Sequence, residues 1–158
     1  MSIPRLGRVS MSGATTAQSL TNRTNTIAQL DIVDDTDGGP AGNKIATGST
    51  GSNNITINYS GLYLVNCAYR FSNPTTSDWK VCIVWVSVDN QATFDYMCAS
   101  TGENNSNSWM GGCNYYELTA GAKVSMHVYQ AQFTGGNTTG NASTPFTTFL
   151  EVTMIDRL

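Results

Sequence analysis

Apolar and polar residues alternate along much of this chain with the two-residue period of a β-strand, not the 3.6-residue period of a helix. The clearest stretch is residues 55–71, ITINYSGLYLVNCAYRF. A short apolar run leads into Ser60-Gly61, after which Tyr63, Val65, Cys67, Tyr69 and Phe71 fall on one face. Leu62, Leu64, Asn66, Ala68 and Arg70 fall on the other, which is only partly polar. Residues 115–128, YYELTAGAKVSMHV, repeat the grammar: apolar strand, Ala120-Gly121 turn, alternating strand. Residues 80–88 are apolar on both faces, with Val81, Ile83 and Trp85 on one and Cys82, Val84, Val86 and Val88 on the other. A strand of that kind lies inside a larger core or under a subunit interface.

Further strands are predicted at 26–33, with Ala28, Leu30 and Ile32 on one side, and at 93–99, 109–118, 124–133 and 146–155. Residues 34–52 read as a long Gly/Asp/Ser-rich loop. The pattern gives roughly eight strands and no helix longer than a turn or two, which is an all-β sandwich or jelly roll of two antiparallel sheets. Residues 1–25 lack clean periodicity and read as an extended N-terminal arm ahead of a single domain at 26–158. Ile3, Leu6, Val9 and Met11, with Arg5 and Arg8, are the residues by which such an arm would dock on a neighbouring protein.

Composition narrows the functional classes. Only 12% of residues are charged, about half the usual share. Asn, Ser, Thr and Gly supply the polarity instead, and they favour turns and strands over helix. A net charge of −3 argues against a sequence-independent nucleic-acid binder, which needs a Lys/Arg footprint. No stretch is long and apolar enough to insert in a membrane as a helix. No apolar run follows Arg5 and Arg8, so no secretory signal is expected and synthesis in a host cytoplasm is. Cys67, Cys82, Cys98 and Cys113 form no CxxC pair and read as small, buried, reduced thiols, with a cross-strand disulfide as the alternative.

Candidate chemistry is sparse. The lone histidine, His127, alternates onto a face with Ser125 and Tyr129, but no nucleophile elbow accompanies it and no enzyme activity is expected. Glu103, Glu117 and Glu151 are scattered, so no glycosidase carboxylate pair is legible. Asp31, Asp34, Asp35 and Asp37 form an acidic cluster before Gly38-Gly39 that reads as a solvated loop, with calcium, held by Asp34, Asp35 and Asp37, the only cofactor it suggests. Trp79 and Trp109 sit at the edges of amide-rich loops, an arrangement that suits a sugar ring stacked on an indole.

Three ordered motifs carry a resemblance to a known family. Gly61-Leu62-Tyr63 opens a strand, Tyr116-Glu117-Leu118-Thr119-Ala120-Gly121-Ala122-Lys123-Val124 fits a Tyr-x-Leu-x-x-Gly-x-x-Val pattern, and residues 144–155 form a closing Thr/Ser-Phe strand. Over residues 26–158 the chain resembles the globular head of the complement component q and tumour-necrosis-factor superfamily. Ala122 stands where that family carries an acidic residue. The resemblance implies a TNF-like jelly roll assembled as a homotrimer. Tyr63, Trp85, Tyr116, His127, Tyr129 and Phe149 are the candidates for its interface. Similar domains form trimeric knobs on phage virions. The expectation is therefore a non-enzymatic virion protein, a capsid decoration anchored by its arm to the major capsid protein or another virion protein. The alternative is a receptor-binding tip of a head or tail fibre that recognises a host-surface glycan.

Overall fold

The structure, a computed structural model, describes residues 7–13, 18–35, 44–72, 79–89, 92–103, 108–132, 138–140 and 148–157, at some strand ends by backbone alone. Among them are thirteen strands and no helix. Two antiparallel sheets form. In the seven-stranded sheet, β7 (Gly61–Ser72) pairs along one edge with β10 (Ser108–Leu118). Its other edge pairs with β13 (Phe149–Arg157) and, further along, with β12 (Thr138–Gly140). Beyond β13 come β1 (Arg8–Ser12) and β4 (Ile32–Asp35), and β12 also pairs with β2 (Gln18–Leu20). The six-stranded sheet runs β5 (Ala46–Ser49), β6 (Asn54–Ile57), β11 (Lys123–Gln132), β8 (Trp79–Ser87), β9 (Asp95–Glu103), with β3 (Asn25–Ile27) also on β11.

The core lies between the sheets. Tyr63, Val65, Cys67, Tyr69 and Phe71 of β7 are all buried, as the alternation predicts, beside Leu150, Val152 and Met154 of β13. The facing sheet contributes Cys82, Val84 and Val86 from β8 and Val124, Met126 and Val128 from β11. Burial of a side chain of this size stabilises the fold by roughly 1.5–3 kcal/mol. Cys67 and Cys82 are buried, Cys98 is half-buried, Cys113 is exposed, and no disulfide joins any of the four. Burial pushes the Cys67 thiol up to about 12, so it packs as a small apolar group.

The two marker turns touch each other. The Ala120 amide donates to Ser60 Oγ at 3.1 Å, and the Gly121 amide to the Ile57 carbonyl at 2.8 Å. Gly121 has φ of +90°, which glycine adopts without strain. Gly61 serves a different need: a Cβ there would run into the Asp156 carbonyl, where β13 breaks register between Met154 and Asp156. Two residues on, the buried Tyr63 hydroxyl donates to the Tyr59 carbonyl at 2.7 Å. Gly-x-Tyr is thus a close approach followed by a tyrosine that ties its own turn to the core.

Three sequence expectations need correction. The arm does not extend to residue 25: β1 lies between β13 and β4, and Val9 and Met11 are fully buried in the core. A strand with two inward apolar residues gains more from the sandwich than from solvent. The strand expected at 26–33 is two strands in different sheets, β3 on β11 and β4 on β1. Ala28 and Leu30 are buried where the chain crosses between sheets, and the Leu30 amide is met by Asn53 Oδ1 at 2.8 Å. β5, inside the expected loop at 34–52, is also a strand. Its Gly48 leaves room for Val33 and Met11, which a Cβ would meet at 2.9 and 3.2 Å.

Candidate functional site

Each sheet has an outer face as well as a core face, and the candidate functional surfaces are these two outer faces. On the seven-stranded sheet the register lines side chains up in rows. Cys113, Asn66, Glu151, Ser10 and Asp34 stand opposite one another in sequence across β10, β7, β13, β1 and β4. On one side lies the row Tyr115, Leu64, Thr153, Arg8, and on the other Gly111, Ala68, Phe149, Ser12, Ile32. A polar row thus crosses a surface with Leu64, Tyr115, Phe149 and Ile32 to either side. Arg8 reaches into the polar row, with Nη1 at 3.2 Å from Glu151 Oε2 and Nη2 at 3.8 Å from Asp34 Oδ2. These groups, with Ser10, Ser12, Val33, Asn66 and Phe149, line a shallow groove of about 600 Å³.

The outer face of the six-stranded sheet is aromatic. Tyr96, Trp85, His127 and Ile27 stand in one row across β9, β8, β11 and β3, and Ala99, Ile83, Tyr129 and Asn25 in the next. The Trp85 and Tyr129 rings are 5.8 Å apart, and Phe94 lies edge-on to His127 at 4.7 Å. Asp89 fixes the turn that delivers Phe94. It accepts from Thr93 Oγ1 at 2.6 Å, from the Thr93 amide at 2.9 Å and from Ser87 Oγ at 3.1 Å. The Thr93 bonds, hydroxyl first, hold its carboxyl below the usual range.

His127 and Ser125 do come together, with Nε2 and Oγ 3.1 Å apart. They are 5% and 1% exposed, and burial lowers the imidazole to about 4. A neutral, covered histidine beside a covered hydroxyl gives a substrate no approach, and no described carboxylate orients the ring. The pair is a packing and hydrogen-bonding feature of β11.

The sequence candidates scatter over the molecule. Of the six trimer residues, Tyr63 is core and Tyr116, its partner in the register, is half-buried against the core with its hydroxyl 3.8 Å from Met97 Sδ. Trp85, His127 and Tyr129 share the outer six-stranded face, and Phe149 lies on the outer seven-stranded face. Tyr63 is therefore a core residue, and the other five do not share one face; Tyr116 points between the sheets and is half-buried. Tyr115, one residue from Tyr116, is the outward tyrosine and is 61% exposed. Leu62, Leu64 and Ile32 were missed, although counting outward from buried Leu118 would have placed Tyr115 on their face.

Of the arm residues, Ile3, Arg5 and Leu6 lie outside the described residues, Val9 and Met11 are core, and Arg8 is engaged with Glu151 and Asp34. Asp34 is on a strand facing that guanidinium, which opposes a cation there. Asp37 and the side chain of Asp35 lie outside the described residues. Among those described, no three metal-ligating side chains gather. The backbones of Trp79 and Trp109 are in β8 and β10, and their side chains lie outside the described residues.

No protein-family model matches this chain, and no curated protein matches it. Solved structures do. An Eiger TNF from S. frugiperda superposes with a TM-score of 0.63 at 11% identity, covering 98% of this chain and 96% of that one. Murine APRIL superposes with TM-scores of 0.57 and 0.58 at 11% and 12% identity, covering 94% of this chain and 98% of that one. At such identity the likeness is one of fold, and the chain has the two-sheet, all-β jelly roll of a TNF-like globular head.

Proposed function

We propose that this chain is a non-enzymatic, homotrimeric virion protein whose trimer is built on the outer face of the seven-stranded sheet. The observation that carries the reading is the banded surface itself. Leu64, Tyr115, Phe149 and Ile32 flank a polar row fixed by Arg8 and Glu151; Tyr115 and Ile32 are exposed and Leu64 and Phe149 half-buried. Apolar bands remove surface from water on association, and a polar row between them sets the register of the partner. The TNF-like fold supports trimeric assembly. The charge-poor, Asn/Thr/Gly-rich composition supports a rigid knob on a particle.

Anchoring to the capsid is assigned to Ile3, Arg5 and Leu6, because Val9 and Met11 are committed to the core. The test is imaging of purified particles together with a variant lacking residues 1–6. Knobs at local threefold positions, lost in the truncated variant while its trimer persists, support decoration. A full-length protein absent from particles, or a truncated one that is retained, contradicts it. The aromatic face of the six-stranded sheet favours a second reading, a receptor-binding tip that recognises host-surface glycan.

A further inference from the structure

We infer that the outer face of the six-stranded sheet is a platform for neutral saccharide, with Tyr96, Trp85 and Tyr129 as stacking rings. The inference deepens the second reading above and rests on this face staying outward in the assembly. It concerns the sheet surface, not the loops that carry Trp79 and Trp109.

Three observations support it. The first is accessibility: Tyr96 is 62% exposed and Phe94 42%, while the neighbouring Trp85 and Tyr129 are half-buried and held in place by their contacts. A ring fixed before binding loses little entropy on binding. The second is layout. Tyr96, Trp85 and Tyr129 run diagonally across three adjacent strands and lead to Asn25, an exposed amide opposite Tyr129. The Trp85 and Tyr129 rings pack against each other at 5.8 Å and 57°, so together they present one continuous, angled apolar surface. Each tyrosine and tryptophan adds a polar tip beside its apolar face, as a ligand with C–H faces and hydroxyl edges requires.

The third is charge. The described residues of the two central rows are Tyr96, Trp85, His127, Ile27, Ala99, Ile83, Tyr129 and Asn25, and His127 is neutral above pH 6.5. Asp95 is turned toward Tyr116, away from these rows. Rows without fixed charge complement an uncharged occupant and give a carboxylated or sulfated glycan no counter-ion for the water it would lose, and the Asp89 carboxylate at their Phe94 edge repels an anionic one. The neutrality also sets this face apart from the Arg8–Glu151 row, which is suited to a partner with charges of its own.

The test is affinity electrophoresis of the full chain through gels containing dextran, yeast mannan or hydroxyethyl cellulose, with polygalacturonate as the anionic comparison. Sedimentation of the same samples runs alongside. Retardation by at least one neutral polymer is expected, with binding about tenfold weaker in Tyr96→Ala, the loss of one aromatic contact. Phe94→Ala provides a second surface variant that leaves the stacking diagonal intact, and it is expected to bind within a few-fold of wild type. No retardation by any neutral polymer overturns the inference, as does preference for polygalacturonate or full binding by Tyr96→Ala. A change in sedimenting mass in Tyr96→Ala also overturns it, since the face would then be a contact between copies. Binding by a monomer keeps the platform and removes the trimer, whereas a trimer that binds nothing does the reverse.

Discussion

The two outer faces of the sandwich are made by the same alternation, yet they dispose of charge in opposite ways. The seven-stranded face places Arg8 between Glu151 and Asp34 in a polar row, with Leu64 and Tyr115 on one side and Phe149 and Ile32 on the other. The six-stranded face carries tilted rings and no fixed charge in its two central rows among the described residues. A banded face can bind a surface of matching bands in one register. A neutral aromatic face accepts a flat, uncharged ligand in several positions. The difference lies in the outward residues, because the buried inward positions of β7, β13, β8 and β11 are apolar apart from Gln130.

Both faces rest on one core, so the largest expected effect is common to them. Met11→Asp should cost about 3–5 kcal/mol by burying an unpaired carboxylate, read as a shift of the denaturant midpoint. Unchanged stability would mean that β1 is a detachable arm after all. Next in size is Leu64→Arg, which should leave the monomer folded and abolish assembly without weakening polysaccharide binding per chain. Joint loss of both properties would erase the division between the faces.

A smaller effect belongs to the six-stranded face alone. Folding holds His127 at about 4, below its unfolded value of 6.5. The unfolded chain therefore takes up its proton first. The stability carried by neutral His127 is intact above pH 6.5 and is lost as pH falls toward 4. Tm measured across that window should fall less in His127→Gln than in wild type. Equal slopes in the two proteins would put the acid sensitivity elsewhere. Smallest is Arg8→Ala, whose exposed ion pairs contribute roughly 0–1 kcal/mol to the monomer. Its effect should be larger on assembly than on chemical denaturation of the isolated chain.

Much of the scaffold was legible because strand parity is a local property. The buried row of β7 follows from counting every second residue from Tyr63, and Ser60-Gly61 and Ala120-Gly121 mark turns that turn out to touch. β1 was missed because RVSMS offers only two apolar residues among serines, and β5 because ATGS offers almost none. The strand expected at 26–33 failed for a different reason. Ala28, Leu30 and Ile32 keep alternating while the chain leaves one sheet for the other, and periodicity does not register a change of partner. The candidate surfaces were less legible than the scaffold. Tyr115 and Tyr116 are chemically identical, and which one faces out follows only from strand parity, set by buried Leu118 and by the pairing of Tyr116 with Tyr63.

Sedimentation equilibrium of the wild-type chain beside Leu64→Arg tests the central claim most directly. The account predicts a wild-type mass of three times 16.9 kDa and a single-chain mass for the variant. A wild-type monomer, or a trimer that survives Leu64→Arg, would contradict it.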